Sequence, residues 1–197
     1  MNVAIVKYNA GNIHSVRLAL NRLGIEPQVT DDARTLLSAD RVIFPGVGEA
    51  STALAYLKER GLDEILLKLT QPVLGICLGL QLLCAHSEEN DTPGLGVFPV
   101  RVRKFPPRDK VPHIGWNSIA NLKGPLFKGI KEESYVYFVH SYYAELSEWT
   151  IAQGDYIVPF SAALHKDNYF AVQFHPEKSG KVGEQVLKNF LKVRNEK

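Results

Sequence analysis

Val73-Leu74-Gly75-Ile76-Cys77-Leu78-Gly79-Leu80-Gln81 is the stretch that decides the fold of this chain. An apolar run with strand character enters one cysteine, a helix-forming segment leaves it, and glycine stands two residues away on each side. That is the layout of a nucleophile elbow, a sharp strand-to-helix turn that lifts one side chain out of a sheet. Cysteine occupies the place that serine holds in hydrolases of another kind. Strand and helix backbones pass close together at such a turn, and Gly75 and Gly79 supply the small flanks it needs. Taken alone, the stretch reads equally well as a buried free cysteine in a parallel strand.

The second decisive element lies far downstream, in Tyr169-Phe170-Ala171-Val172-Gln173-Phe174-His175-Pro176-Glu177. A β-rich run ends in histidine, and glutamate follows two residues on. In extended chain, residues i and i+2 project to one side, so the carboxylate is expected to reach the imidazole. Pro176 stiffens the backbone between them. A thiol needs a base to become thiolate, and the base needs a third group to fix its tautomer. Cys77, His175 and Glu177 supply nucleophile, base and orienter.

With the loop Pro45-Gly46-Val47-Gly48-Glu49, these two elements resemble the triad-type (class I) glutamine amidotransferases in order and spacing over the whole chain. Three further motifs resemble the glutaminase subunit of imidazole glycerol phosphate synthase, of histidine biosynthesis. They are Tyr8-Asn9-Ala10-Gly11-Asn12, Pro112-His113-Ile114-Gly115-Trp116-Asn117 and Tyr137-Phe138-Val139-His140-Ser141-Tyr142.

The resemblance implies an oxyanion hole made by the backbone N–H groups of Val47 and Leu78, which fixed dipoles in a dry site would make effective. It implies glutamine contacts from Gln81, one helical turn beyond Cys77, from main-chain groups of Gly48, Ser141 and Tyr142, and from Glu89. Asn12, Trp116 and Tyr137 are expected at a partner interface, because they belong to the motifs of this branch. The implied partner is a (β/α)₈-barrel cyclase in a heterodimer, fed with ammonia from glutamine. No metal or organic cofactor is implied. The rival readings are a free-standing glutaminase subunit serving vitamin B6 or carbamoyl phosphate synthesis, and a silent binding or regulatory subunit.

Composition bounds the same picture. The 197 residues fit one domain, 1–197, and 45% hydrophobic with 22% charged content is that of an ordinary soluble globular protein. A net charge of +2 argues against bulk binding to nucleic acid or to a membrane surface. The opening Met1-Asn2-Val3-Ala4-Ile5-Val6-Lys7 reads as a first strand rather than a secretion signal, and no apolar run approaches a membrane span. Cys77 and Cys84, roughly 10 Å apart along a continuous helix, are too distant for a disulfide and fit a reducing cytoplasm. Cys84 is expected on that helix, facing the core with Leu80.

Phe44-Pro45-Gly46-Val47-Gly48-Glu49-Ala50-Ser51 is an imperfect dinucleotide fingerprint, with serine in place of the third glycine and the third strand before it, so it reads as a site loop. His14, His86, His113, His140 and His165 lack zinc spacings and read as surface or satisfied core histidines. The basic run Arg101-Val102-Arg103-Lys104 reads as a half-exposed strand.

Along the chain, strands at Asn2–Tyr8, Pro27–Thr30, Arg41–Phe44 and the elbow alternate with helices, including Asn12–Leu23 and Ala50–Glu59. This predicts an α/β fold with a mostly parallel central sheet flanked by helices in three layers. From Gly94 on, shorter strands are expected at Val97–Phe105, Ile114–Ala120, Ser134–Tyr143, Trp149–Ile157 and Tyr169–Phe174, some of them antiparallel. Ser179 is expected to cap a last amphipathic helix whose stripe is Val182, Val186, Phe190 and Val193.

Overall fold

The structure, a computed structural model, describes residues 1–9 and 11–194; Ala10 of the first secondary motif lies outside the described residues. Strand and helix alternate first: β1 (Val3–Val6), α1 (Ile13–Arg22), β2 (Gln28–Thr30), α2 (Ala33–Ser38), β3 (Arg41–Gly46), α3 (Ala50–Glu59), α4 (Leu62–Lys68), β4 (Val73–Cys77) and α5 (Leu78–Leu83). Short strands follow: β5 (Cys84–Ser87), β6 (Thr92–Pro93), β7 (Phe98–Lys104), β8 (His113–Ile119), β9 (Ser134–His140) and β10 (Tyr142–Ala144). The chain returns through β11 (Thr150–Tyr156), β12 (Val158–Lys166) and β13 (Tyr169–Val172) and ends in α6 (Gly180–Lys192).

Among the described residues the main sheet has seven strands in the order β11-β12-β13-β4-β3-β1-β2. The strands from β13 to β2 are parallel, and β12 and β11 extend the sheet antiparallel at one edge. Alternate residues face opposite layers, as the two-residue period of a strand requires. Val3, Ile5, Ile43 and Leu74 join Val16, Leu20, Val186 and Phe190 under α1 and α6. Ala4, Val6, Val42 and Val73 join Leu36, Leu54, Leu57 and Leu66 under α2, α3 and α4. Burying each of these large side chains contributes roughly 1.5–3 kcal/mol.

This order puts β4 between β3 and β13, with Gly46 opposite Cys77 and Val172 opposite Ile76. The Pro45–Gly48 loop, the elbow and the His175 turn therefore emerge side by side at the carboxyl ends of adjacent parallel strands, where open α/β sheets place their sites.

Four details differ from expectation. α5 ends at Leu83, so Cys84 is buried but opens β5, paired with Phe98; Gly94 lies so close that a Cβ there would meet the Cys84 carbonyl oxygen at 1.9 Å. The segment Ser134–Tyr143 forms two strands broken at Ser141, because β9 pairs with β8 while β10 pairs with β7. β12, not anticipated at all, is an interior strand with Phe160 to Leu164 buried without alternation, so it lacks the period that marks a half-exposed strand. Ser179 stands at the start of α6, but its hydroxyl donates to the His175 carbonyl and accepts the Tyr137 N–H, leaving no side-chain cap.

Candidate active site

Cys77 takes φ 53° and ψ −105°, a conformation that non-glycine residues adopt only under constraint, at about 1–3 kcal/mol. The constraint is visible in the flanks. A Cβ on Gly79 would sit 1.9 Å from the Phe44 carbonyl oxygen, and one on Gly75 would sit 3.0 Å from the Gly79 carbonyl carbon. The elbow is thus a close crossing of β4, β3 and α5 that only glycine permits. Its product is a thiol at the carboxyl end of a central strand, with Sγ 3.7 Å from the Val139 carbonyl oxygen.

His175 leaves the end of β13 in extended conformation, and Pro176–Lys178 then form a 3₁₀ turn rather than the extended segment the sequence suggests. The turn still brings the carboxylate to the imidazole: His175 Nδ1 lies 2.7 Å from Glu177 Oε1, with both side chains almost wholly buried. A carboxylate oxygen accepts, so Nδ1 carries a proton. Asn12, in a left-handed turn at φ 73°, donates its amide to the same oxygen. Its side chain therefore meets the His175–Glu177 pair, a placement that its position in a secondary motif did not reveal. Burial opposes charge on His175, but hydrogen bonds and charges from Cys77 and Glu177 outweigh it and push the imidazole up to about 10. At neutral pH this is an imidazolium held between the Cys77 sulfur and a carboxylate.

A cavity of about 300 Å³ opens over the cysteine. Cys77, His175, Val47, Gly48 and Leu78 line it, together with Gln81, Glu89, Ser141 and Tyr142. Every residue expected at the triad's oxyanion hole and substrate contacts therefore meets in one place. Gln81 is buried rather than solvated, donating to the Tyr142 carbonyl at 3.0 Å and to Gln173 Oε1 at 3.1 Å. Glu89 Oε2 accepts the Ala50 N–H at 2.8 Å, and burial raises its carboxyl above the ordinary value. Burial would also raise Glu49, but hydrogen bonds from Ser51 and Thr52 prevail and hold it at about 2, fixing the loop after Gly48 to the start of α3.

The sequence reading missed Gln173. Its amide donates to Cys77 Sγ at 3.6 Å while its oxygen accepts from Gln81, so it links nucleophile and pocket wall. The signal was present: Gln173 stands between the apolar Val172 and Phe174, and a polar residue buried there must have partners. Pro112, Val139, His140 and Lys178 also line the cavity.

Trp116 and Tyr137 lie elsewhere, as an edge-on pair with centroids 5.9 Å apart on the outward face of the β8–β9 hairpin. Trp116 is 55% exposed, beside the exposed Ile114 and Tyr135. Among the described residues, no group of three or more acidic, cysteine or histidine side chains could hold a metal, and no helix is long and apolar enough to cross a membrane.

Residues 5–193 match the family described as glutamine amidotransferase class-I. The imidazole glycerol phosphate synthase subunit HisH of Bacteroides fragilis is 59% identical over 98% of this chain and 100% of its own length. The subunit of that name from Escherichia coli K12 is 46% identical, again over 98% and 100%. Among solved structures, PurLQS from Thermotoga maritima superposes with a TM-score of 0.72 at 17% identity, over 96% of this chain and 97% of that one, a likeness of fold. The chain belongs to the class-I glutamine amidotransferase family and, within it, to the group of imidazole glycerol phosphate synthase subunits HisH.

Proposed function

We propose that this chain is the glutaminase subunit of an imidazole glycerol phosphate synthase and that Cys77, His175 and Glu177 are its catalytic triad. The observation that carries the residue assignment is the shared cavity in which an elbow thiol meets an imidazolium backed by a carboxylate. Cys77 thiolate attacks the side-chain amide carbon of glutamine. Charge develops on the carbonyl oxygen, where the N–H groups of Val47 and Leu78 serve as donors. The imidazolium of His175 gives its proton to the departing nitrogen, and ammonia leaves a γ-glutamyl thioester. Water then attacks the thioester as the now neutral imidazole takes its proton, and glutamate departs as the thiolate re-forms. Glu177 holds the ring and stabilises its charge, as the acid does in serine triads. Gln81, Glu89, Gly48, Ser141 and Tyr142 hold the glutamine.

Ammonia set free in neutral water is largely protonated and lost as a nucleophile, so a synthase subunit must cover this cavity. The partner assigned is a (β/α)₈-barrel cyclase that forms a heterodimer with this chain in the cytoplasm and consumes the ammonia. The exposed Ile114, Trp116 and Tyr135, with Tyr137, form an apolar face suited to that contact, since aromatic anchors dominate interface energetics. Glutamate release, measured with and without the barrel subunit and its ribonucleotide ligand, is the test. Stimulation by the liganded partner is expected; a chain that releases no glutamate under either condition would refute the reading.

A further inference from the structure

His113 and His140 form a second imidazole pair beside the triad, on the inner face of the hairpin whose outer face carries Trp116. The rings pair across the strands, with His113 Nδ1 3.0 Å from His140 Nε2. His140 Nδ1 lies 2.7 Å from the Tyr142 carbonyl oxygen. Hydrogen-bonding logic fixes every proton in this chain of contacts. A carbonyl only accepts, so His140 carries its proton on Nδ1. Its Nε2 is then bare, and His113 must donate from Nδ1. His113 Nε2 is bare in turn and faces the Asn117 amide nitrogen at 3.5 Å. That amide is oriented independently: its nitrogen donates to the Asp155 carbonyl at 2.9 Å and its oxygen accepts the Ser118 N–H at 2.8 Å. Direction therefore runs one way, from Asn117 through both rings to Tyr142.

Both rings must be neutral for this order to hold, and their surroundings keep them so. His113 is stacked on Tyr156 at 4.0 Å and on Phe138 at 4.9 Å between centroids, and Phe105 and Phe160 crowd His140. Burial lowers His113 to about 4 and His140 to about 3. The Tyr142 carbonyl at the end of the chain also accepts from Gln81, so two fixed donors pin the break between β9 and β10 at Ser141. Ser141 and Tyr142 form part of the wall of the cavity that Cys77 also lines.

We infer that His140, locked in one tautomer by His113, is a positioning residue that pins the Ser141-Tyr142 wall and so sets the affinity for glutamine rather than the rate of its hydrolysis. The inference rests on the glutaminase reading above. It is tested in the full chain assembled with its synthase subunit. An asparagine amide can take the place of ring Nδ1 and a glutamine amide the place of Nε2, so the two variants separate the ends of the ring. His140→Gln removes the donor to Tyr142 and should raise KM for glutamine about tenfold, the scale of one lost buried hydrogen bond, with kcat changed less than about twofold. His140→Asn should recover most of that KM. Equal KM values for the two variants, or a loss confined to kcat, would overturn the inference, since lost packing alone would be no milder for the smaller asparagine.

Labelling of Cys77 separates the two layers of argument. A glutamine-like electrophile that fails to label the wild-type chain overturns the glutaminase reading itself. A wild type that labels, with His140→Gln labelling equally fast, overturns only the positioning role. Should His140→Gln not fold, His113→Phe, which keeps the stacked ring, should raise KM by freeing the His140 tautomer. Imidazole ¹⁵N spectra of the unaltered chain test the proton order directly. Nδ1 protonated and Nε2 bare on both rings at neutral pH is expected; a charged ring or a proton on His140 Nε2 refutes the chain.

Discussion

His175 and His140 line the same cavity and are almost equally buried, 1% and 5% exposed, yet the fold drives them in opposite directions. Burial alone would lower both. It prevails at His140, which falls to about 3 among phenyl rings, another imidazole and a carbonyl. It loses at His175, which rises to about 10 between the Cys77 sulfur and a carboxylate. Depth in a protein therefore does not tell whether a histidine carries charge; the chemical type of its neighbours does. On the glutaminase reading, one ring moves protons and the other holds still.

The largest test of the contrast removes the partners on the charged side. Cys77→Ala and His175→Ala should each lower glutamine-dependent turnover about 10³-fold or more, because nucleophile and base act as one unit. Synthesis from added ammonium salt by the complex should be spared. Glu177→Gln should be milder, about 10–100-fold, since it weakens the orienter and leaves the base. It should also draw the His175 titration down from about 10 toward that of an ordinary imidazole. An unshifted His175 titration in Glu177→Gln would mean that the carboxylate does not account for the difference between the two rings.

A smaller effect is expected on the other face of the hairpin that carries the neutral pair. Trp116→Ala removes the largest side chain of the exposed patch and should weaken association with the barrel subunit about tenfold or more while the chain stays folded. A folded Trp116→Ala chain with unaltered complex formation, measured by calorimetry or sedimentation, would detach this face from the partner.

The two sides of the contrast were unequally legible in the sequence. Gly75, Cys77, Gly79, His175 and Glu177 were readable because close crossings and nucleophile chemistry restrict residue types so tightly. The parallel half of the fold was readable for a related reason: its strands and helices alternate, and the left-handed Gly24 and Gly61 fall just after α1 and between α3 and α4. The neutral pair escaped. His113 and His140 belong to different strands and meet only through the β8–β9 register, which no local pattern encodes. β12 escaped because both of its faces are buried, so it shows no alternation. Asn12 reaches Glu177 across 165 positions of sequence, a contact that exists only once α1 has settled against the sheet. Local chemistry is written in the sequence, whereas partnership between distant polar groups is a product of topology.

The smallest expected effect is on stability, and its sign differs for the two rings. His140 and His113 have folded values of about 3 and about 4 against 6.5 when exposed, so between those limits the unfolded chain binds more protons. Their contribution to stability is therefore present above about 6.5 and lost as pH falls toward 3. His175 is the reverse: its folded value of about 10 exceeds 6.5, so its contribution is complete below 6.5 and lost as pH rises through 10. Urea unfolding midpoints measured across pH at constant ionic strength should thus fall on both limbs for separate reasons. His140→Gln should flatten the acid limb relative to wild type and leave the alkaline limb alone, and Glu177→Gln should flatten only the alkaline limb. About one pH unit to either side of 6.5 the expected differences are on the order of 0.5 M in midpoint, about 1 kcal/mol at ordinary urea slopes. An acid limb unchanged by His140→Gln would show that the neutral ring is not held against protonation, and the contrast between the two histidines would then rest on the triad alone.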